Sequence, residues 1–67
     1  MMLRHLGARI RKAREACGLS QQALADKAQL SRIYIAKLEG GERQAPSLAA
    51  LERIARVLGV KLSELVD

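Results

Sequence analysis

The chain has 67 residues and one cysteine, Cys17, which fits a single small domain over residues 1–67 without an internal disulfide; His5 is the only other strong ligand, so a zinc site is excluded too. No apolar run approaches the roughly 18 residues of a membrane span, and MMLRHLGARIRK lacks the apolar stretch of a signal peptide, so a cytoplasmic protein without membrane contact is expected. Twelve Lys and Arg against seven Asp and Glu leave a net charge of +5, and Arg4, Arg9, Arg11, Lys12 and Arg14 are relieved by no acid between them, which favours a polyanionic partner.

Serine punctuates the chain, which has no Thr and no Asn. Ser20, Ser31, Ser47 and Ser63 each stand just before a stretch of helical periodicity, where a hydroxyl can accept from an orphan N–H. None has Glu or Gln three residues on, so the reciprocal capping box is missing. A first helix is predicted from about Leu3 to Cys17, with Leu6, Ile10, Ala13 and Cys17 as its apolar stripe and Gly18 closing it. On this reading Cys17 is a small, partly buried apolar residue and His5 a solvated residue near a frayed end. A second helix runs from Gln21 to Ala28, with Leu24, Ala25 and Ala28 inward. A third runs from Arg32 to Glu39, with Ile35 and Leu38 inward, and Gly40–Gly41 end it. Glu42 to Pro46 read as a polar loop. A fourth helix spans Leu48 to Leu58, with Leu48, Leu51, Ile54, Ala55 and Leu58 inward, and stops at Gly59. A short fifth runs from Lys61 or Leu62 to Val66. With no alternating strand pattern, the fold class is all-α: five compact helices.

The third helix carries the most informative surface. At about 100° per residue, Arg32, Ile33, Ala36 and Lys37 lie opposite Ile35 and Leu38. An outward isoleucine leaves apolar area in water unless it meets a thymine methyl or a protein. Two short helices joined by a tight turn, the second with such a face, form a unit that fits the DNA major groove. Arg32 can pair with guanine O6 and N7, Lys37 can reach a guanine or a phosphate, and Ala36 permits close approach to the groove floor. Ser31, which caps the helix, lies at the same surface. Gln21, at the N-terminus of the second helix, is placed for a phosphate. Gly41, Arg43 and Gln44 can clamp the next phosphates. Glu39 sits at a helix C-terminus, where a negative charge is unfavourable, and near the inward side; Arg14 is the expected cationic partner. Tyr34 is the only aromatic residue, which argues against single-stranded nucleic acid.

Residues 6–66 resemble the Cro/repressor-type helix-turn-helix family, also called the XRE family. The resemblance is carried by Leu6, Ile10 and Arg14, by Gly18–Leu19–Ser20–Gln21, by Leu24–Ala25, and by Leu30–Ser31. It continues through Ile35, Leu38–Glu39, Gly41, Pro46–Ser47–Leu48, Leu51, Ile54–Ala55, Leu58–Gly59–Val60 and Leu65. It implies a lambda-repressor-like domain, with its helix-turn-helix at about residues 20–39, that binds operator DNA as a two-fold dimer. It also implies a phosphate contact for Gln21, base-facing positions for Arg32, Ile33 and Lys37, and an Arg14–Glu39 pair. The chain departs from the pattern at Gln29, where relatives usually have glycine.

The expected function is that of a bacterial or phage transcription regulator, a repressor acting on a palindromic double-stranded operator. Val57, Val60, Leu62, Leu65 and Val66 exceed what one small core needs and are candidates for the two-fold interface. Nothing follows the fifth helix, so no ligand-sensing domain is expected. Asp26 is an exposed acid where activating relatives touch RNA polymerase. The alternative is an antitoxin that neutralises a toxin and also binds DNA. No nucleophile–base pair, carboxylate pair or metal cluster supports an enzyme, and no cofactor is expected.

Overall fold

The computed structural model describes residues 4–42 and 46–66. Five helices follow in order: α1 (Leu6–Ala16), α2 (Gln21–Ala28), α3 (Arg32–Glu39), α4 (Leu48–Leu58) and α5 (Leu62–Leu65). Ser20, Ser31 and Ser47 cap α2, α3 and α4, their hydroxyls accepting from the N–H of Ala23, Tyr34 and Ala50 at 3.0, 3.0 and 3.1 Å. Each such cap stabilises its helix by about 1 kcal/mol. Ser63 does not cap α5 but lies inside it. The N-cap is Lys61, whose N–H donates to the Glu64 carboxylate at 2.7 Å. An acid reaching back from the first turn satisfies the orphan N–H and suits the helix dipole, so the helix starts before the serine.

α1 is shorter than its sequence pattern predicts. It begins at Leu6, the first described side chain to reach the core, and the preceding His5 provides no side-chain cap. At the other end Cys17 is the C-cap and is exposed, not part of the buried stripe. It stands where the chain turns away at Gly18, and only its Sγ approaches the carbonyl of Leu58, at 3.5 Å.

The turn between α2 and α3 decides how the two helices meet. Leu30 N–H donates back to the Ala25 carbonyl at 2.8 Å and Gln29 N–H to that of Asp26 at 3.3 Å. This is the closure used after α1, α3 and α4, where Gly18, Gly41 and Gly59 hold the positive φ. Gln29 does the same work with a side chain, at φ 59° and ψ 42°, the only non-glycine residue at positive φ among those described. That conformation costs a β-carbon-bearing residue about 1 kcal/mol.

The helices pack around one core. Ile10 of α1, Leu24 of α2, Ile35 and Leu38 of α3, Leu51 and Ile54 of α4 and Leu65 of α5 are its fully buried large side chains. Val57, Val60, Leu62 and Val66 are half-buried against it. Leu48 departs from expectation. It is 51% exposed, because it stands on the flank of the α4 stripe at the free end of the helix, whereas Ala50, Leu51, Ile54, Ala55 and Leu58 face inward. α1 meets the end of α3 with no room between backbones: a Cβ on Gly7 would lie 2.4 Å from the Leu38 carbonyl oxygen and 2.8 Å from that of Glu39. Arg9 Nη1 donates to the Val66 carbonyl at 3.1 Å, tying α1 to the chain after α5. No described helix is long and apolar enough to cross a membrane.

Candidate nucleic-acid interface

α3 has two faces with different tasks. Ile35, Leu38 and Glu39 are buried; Arg32, Ile33 and Lys37 are exposed, and Ala36 is half-buried between them. Ile33 is 59% exposed, which with Leu48 makes it one of the two large apolar side chains left in solvent among the described residues. The Ser31 hydroxyl is engaged by the Tyr34 N–H, so it holds the helix start. Arg32 and Lys37 enter none of the ion pairs among the described residues, so their charge faces outward unneutralised. Gly41 is exposed at the end of α3, while Arg43 and Gln44 lie outside the described residues.

Behind that face, Glu39 gathers donors from two other helices. Arg14 Nε donates to Oε2 at 2.6 Å and Arg14 Nη2 to Oε1 at 2.9 Å, a two-pronged pair. Gln21 Nε2 donates to the same Oε1 at 3.2 Å, and Arg11 Nε at 3.4 Å. The Glu39 side chain has no exposed surface. Burial alone pushes its carboxyl up. The hydrogen bonds from Arg14 and Gln21, the Arg14 charge and the Arg11 hydrogen bond together outweigh that and hold Glu39 below the usual carboxylate range. The Glu39 hydrogen bond pushes Arg14 up in turn, so both partners stay charged. Arg14 Nη1 donates to the Leu19 carbonyl at 2.8 Å, so all three nitrogens of this guanidinium are engaged inside the protein. The cluster thus fastens α1 and the start of α2 to the C-terminal end of α3 at one carboxylate.

Gln21 therefore stands at the start of α2 but does not hang free: its amide is half-buried and oriented by Glu39. Asp26 is exposed and accepts from Gln22 Nε2 at 2.7 Å.

The family model described as a helix-turn-helix domain matches residues 5–67. The chain belongs to the Cro/repressor-type helix-turn-helix family. An immunity repressor protein of Bacillus phage phi105 is 44% identical over 61 residues, which covers 91% of this chain and 42% of that protein. The restriction-modification controller protein C.AhdI of Aeromonas hydrophila superposes with a TM-score of 0.87 at 38% identity, covering 94% of each chain. SinR, a master regulator for biofilm formation solved in complex with DNA, superposes with a TM-score of 0.89 at 34% identity, covering 92% of this chain and 98% of that one. This chain spans 42% of the phi105 repressor and 56% of full-length Bacillus subtilis SinR, about half of each.

In this helix-turn-helix, α2 and α3 are the paired helices, joined through Gln29. One residue expected at a two-fold surface has to be withdrawn from it: Leu65 is 1% exposed, because it fills the core. Val57, Val60, Leu62 and Val66 keep part of their surface in solvent. Two residues that matter to the interface were not singled out from the sequence. Arg11 was one of five cations in a basic stretch, although its spacing of three from Arg14 places both on one side of α1. Gly7 carried no signal, since only the approach of α3 reveals why a side chain is excluded there.

Proposed function

We propose that the protein is a sequence-specific, duplex-DNA-binding transcription regulator that works in the cytoplasm, as a repressor and as a two-fold dimer on a palindromic operator. The observation that carries the reading is the division of α3: Ile35, Leu38 and Glu39 anchor it, while Arg32, Ile33 and Lys37 face solvent without neutralising partners. An eight-residue helix is about 12 Å long, comparable to the major groove of B-DNA at about 12 Å wide. Arg32, at the helix start, pairs with a guanine edge; Ile33 covers a thymine methyl; Lys37, one turn on, takes a guanine or a phosphate. Ala36 lets the backbone come close. Gln21, and Gly41 with Arg43 and Gln44, hold phosphates on either side and fix the register. The names of the similar proteins, a phage immunity repressor and a regulator solved with DNA, support this reading. Val57, Val60, Leu62 and Val66 supply the apolar surface for a second copy. The two α3 helices of a dimer then enter the groove about 34 Å apart.

Selection of bound duplexes from a random pool tests the proposal. Enrichment of an inverted repeat with half-sites about 10 bp apart is expected. A pool that stays random after repeated rounds would overturn the reading.

A further inference from the structure

Arg11 is used differently from its neighbour Arg14. Arg14 spends Nε, Nη1 and Nη2 on Glu39 and Leu19 inside the protein. Arg11 spends only Nε, on Glu39 Oε1, and its side chain is 54% exposed. Its two Nη groups, which carry four N–H donors in a planar fork, have no partner among the described residues. The acceptor that holds Arg11 also holds Gln21: Oε1 takes Arg11 Nε at 3.4 Å and Gln21 Nε2 at 3.2 Å. Two donors within reach of one oxygen, which also accepts from Arg14 Nη2 at 2.9 Å, stand in one neighbourhood, so the exposed Arg11 guanidinium and the Gln21 side chain share the rim of the Glu39 carboxylate. Glu39 is fixed by the two Arg14 bonds and cannot follow either of them outward.

We infer that Arg11 and Gln21 form a two-sided clamp for one DNA backbone phosphate, with Glu39 as the internal brace that sets the clamp against α3. The inference rests on the DNA-binding reading and adds a residue that reading did not contain. A guanidinium held by Nε presents the remaining fork to a phosphate in the geometry suited to paired hydrogen bonds. Gln21 then supplies a neutral donor to a second oxygen of the same group. Because the brace belongs to the end of α3, the grip on the phosphate and the depth of α3 in the groove are set by the same atom. Lys12, the next residue on α1, offers the natural contrast: it lies along a groove lined also by Ala16, Val60 and Leu65, away from Glu39.

The test compares wild type, Arg11→Gln, Lys12→Gln, Gln21→Ala and the Arg11→Gln/Gln21→Ala pair on the duplex obtained by selection, by fluorescence anisotropy across a salt series. Arg11→Gln should weaken binding about tenfold near 0.1 M salt and make the log K against log salt slope shallower by about 0.9 per bound protomer. Lys12→Gln, which removes the same charge, should change the slope by less than half as much. The pair should lose clearly less than the product of its two single losses, since either change alone opens the clamp. Far-UV circular dichroism should be unchanged in Arg11→Gln, whose side chain is mostly in solvent. An Arg11→Gln slope equal to wild type or to Lys12→Gln, or strictly multiplicative losses in the pair, would overturn the clamp while leaving DNA binding standing. A wild-type protein without salt-dependent duplex binding would overturn the DNA reading and the clamp with it.

Discussion

Replacing Gly7 by alanine sets two effects of opposite sign against each other. Glycine in a helix costs up to about 1 kcal/mol relative to alanine, so propensity alone favours the substitution. Packing opposes it. The added Cβ would stand 2.4 Å from the Leu38 carbonyl oxygen and 2.8 Å from that of Glu39, both backbone atoms at the end of α3. Restoring ordinary van der Waals separation needs α1 and α3 to part by about 1 Å, and overpacking of this kind costs about 1–3 kcal/mol. The shift also pulls on the shortest bond of the Glu39 cluster, Arg14 Nε to Oε2 at 2.6 Å. The expected outcome is a net loss of about 1–2 kcal/mol in urea unfolding. The selected DNA should also be bound more weakly, because α3 no longer sits at its original depth. Ala8→Gly, at the exposed neighbouring position of α1, isolates the propensity effect and should cost no more than about 1 kcal/mol. A Gly7→Ala protein as stable as wild type, or more so, would refute the close-packing argument.

The remaining predictions concern the cluster, the turn and the outer face. Glu39→Gln leaves Arg14 facing no charge and should cost about 3 kcal/mol, much of the stability of so small a domain. Glu39 is held below its unfolded-state value, so its contribution is complete above the ordinary carboxylate pKa of about 4.3 and fades as pH falls through the lower folded value. Acid titration of thermal stability should therefore fall less steeply in Glu39→Gln than in wild type; parallel curves would contradict the assignment. Gln29→Gly should raise stability by about 1 kcal/mol by relieving the left-handed strain, and a destabilised variant would show that the Gln29 side chain has work of its own. Arg32→Ala should cost about 1–3 kcal/mol of binding and relax preference at one base pair per half-site, whereas an equal loss on all sequences would make Arg32 a phosphate contact. Gln21→Ala should weaken binding without changing the selected site; a new preferred sequence would refute the phosphate role.

Local rules made most of the architecture legible. Three serines mark helix starts because the chain has no Thr or Asn to compete with them, and glycines mark three of the four turns that reverse the backbone. The exceptions lie where those rules weaken. Ser63 resembles a cap until Glu64 is seen to satisfy the Lys61 N–H, and periodicity alone could not tell that Leu48 and Cys17 stand at helix ends the core does not cover. Leu65 looks surplus in the sequence, which does not disclose how much apolar volume the junction of α1, α4 and α5 must fill. Glu39 shows the limit most clearly. An acid at a helix C-terminus must find cations, which is a local inference. That it accepts from Arg11 and Gln21 as well as Arg14 is a property of three helices meeting, and no local pattern encodes it.

The split of α3 has a practical meaning for retargeting. Residues that hold the helix and residues that face outward are different residues, so the outer set can be exchanged as a cassette on an unchanged chassis. Arg32, Ile33 and Lys37 are exposed and, among the described residues, enter no ion pair, so exchanging them leaves the buried anchors Ile35, Leu38 and Glu39 in place. Ala36 marks the boundary of that freedom: half-buried, it limits the size of any replacement and so limits which readout alphabets the scaffold can host.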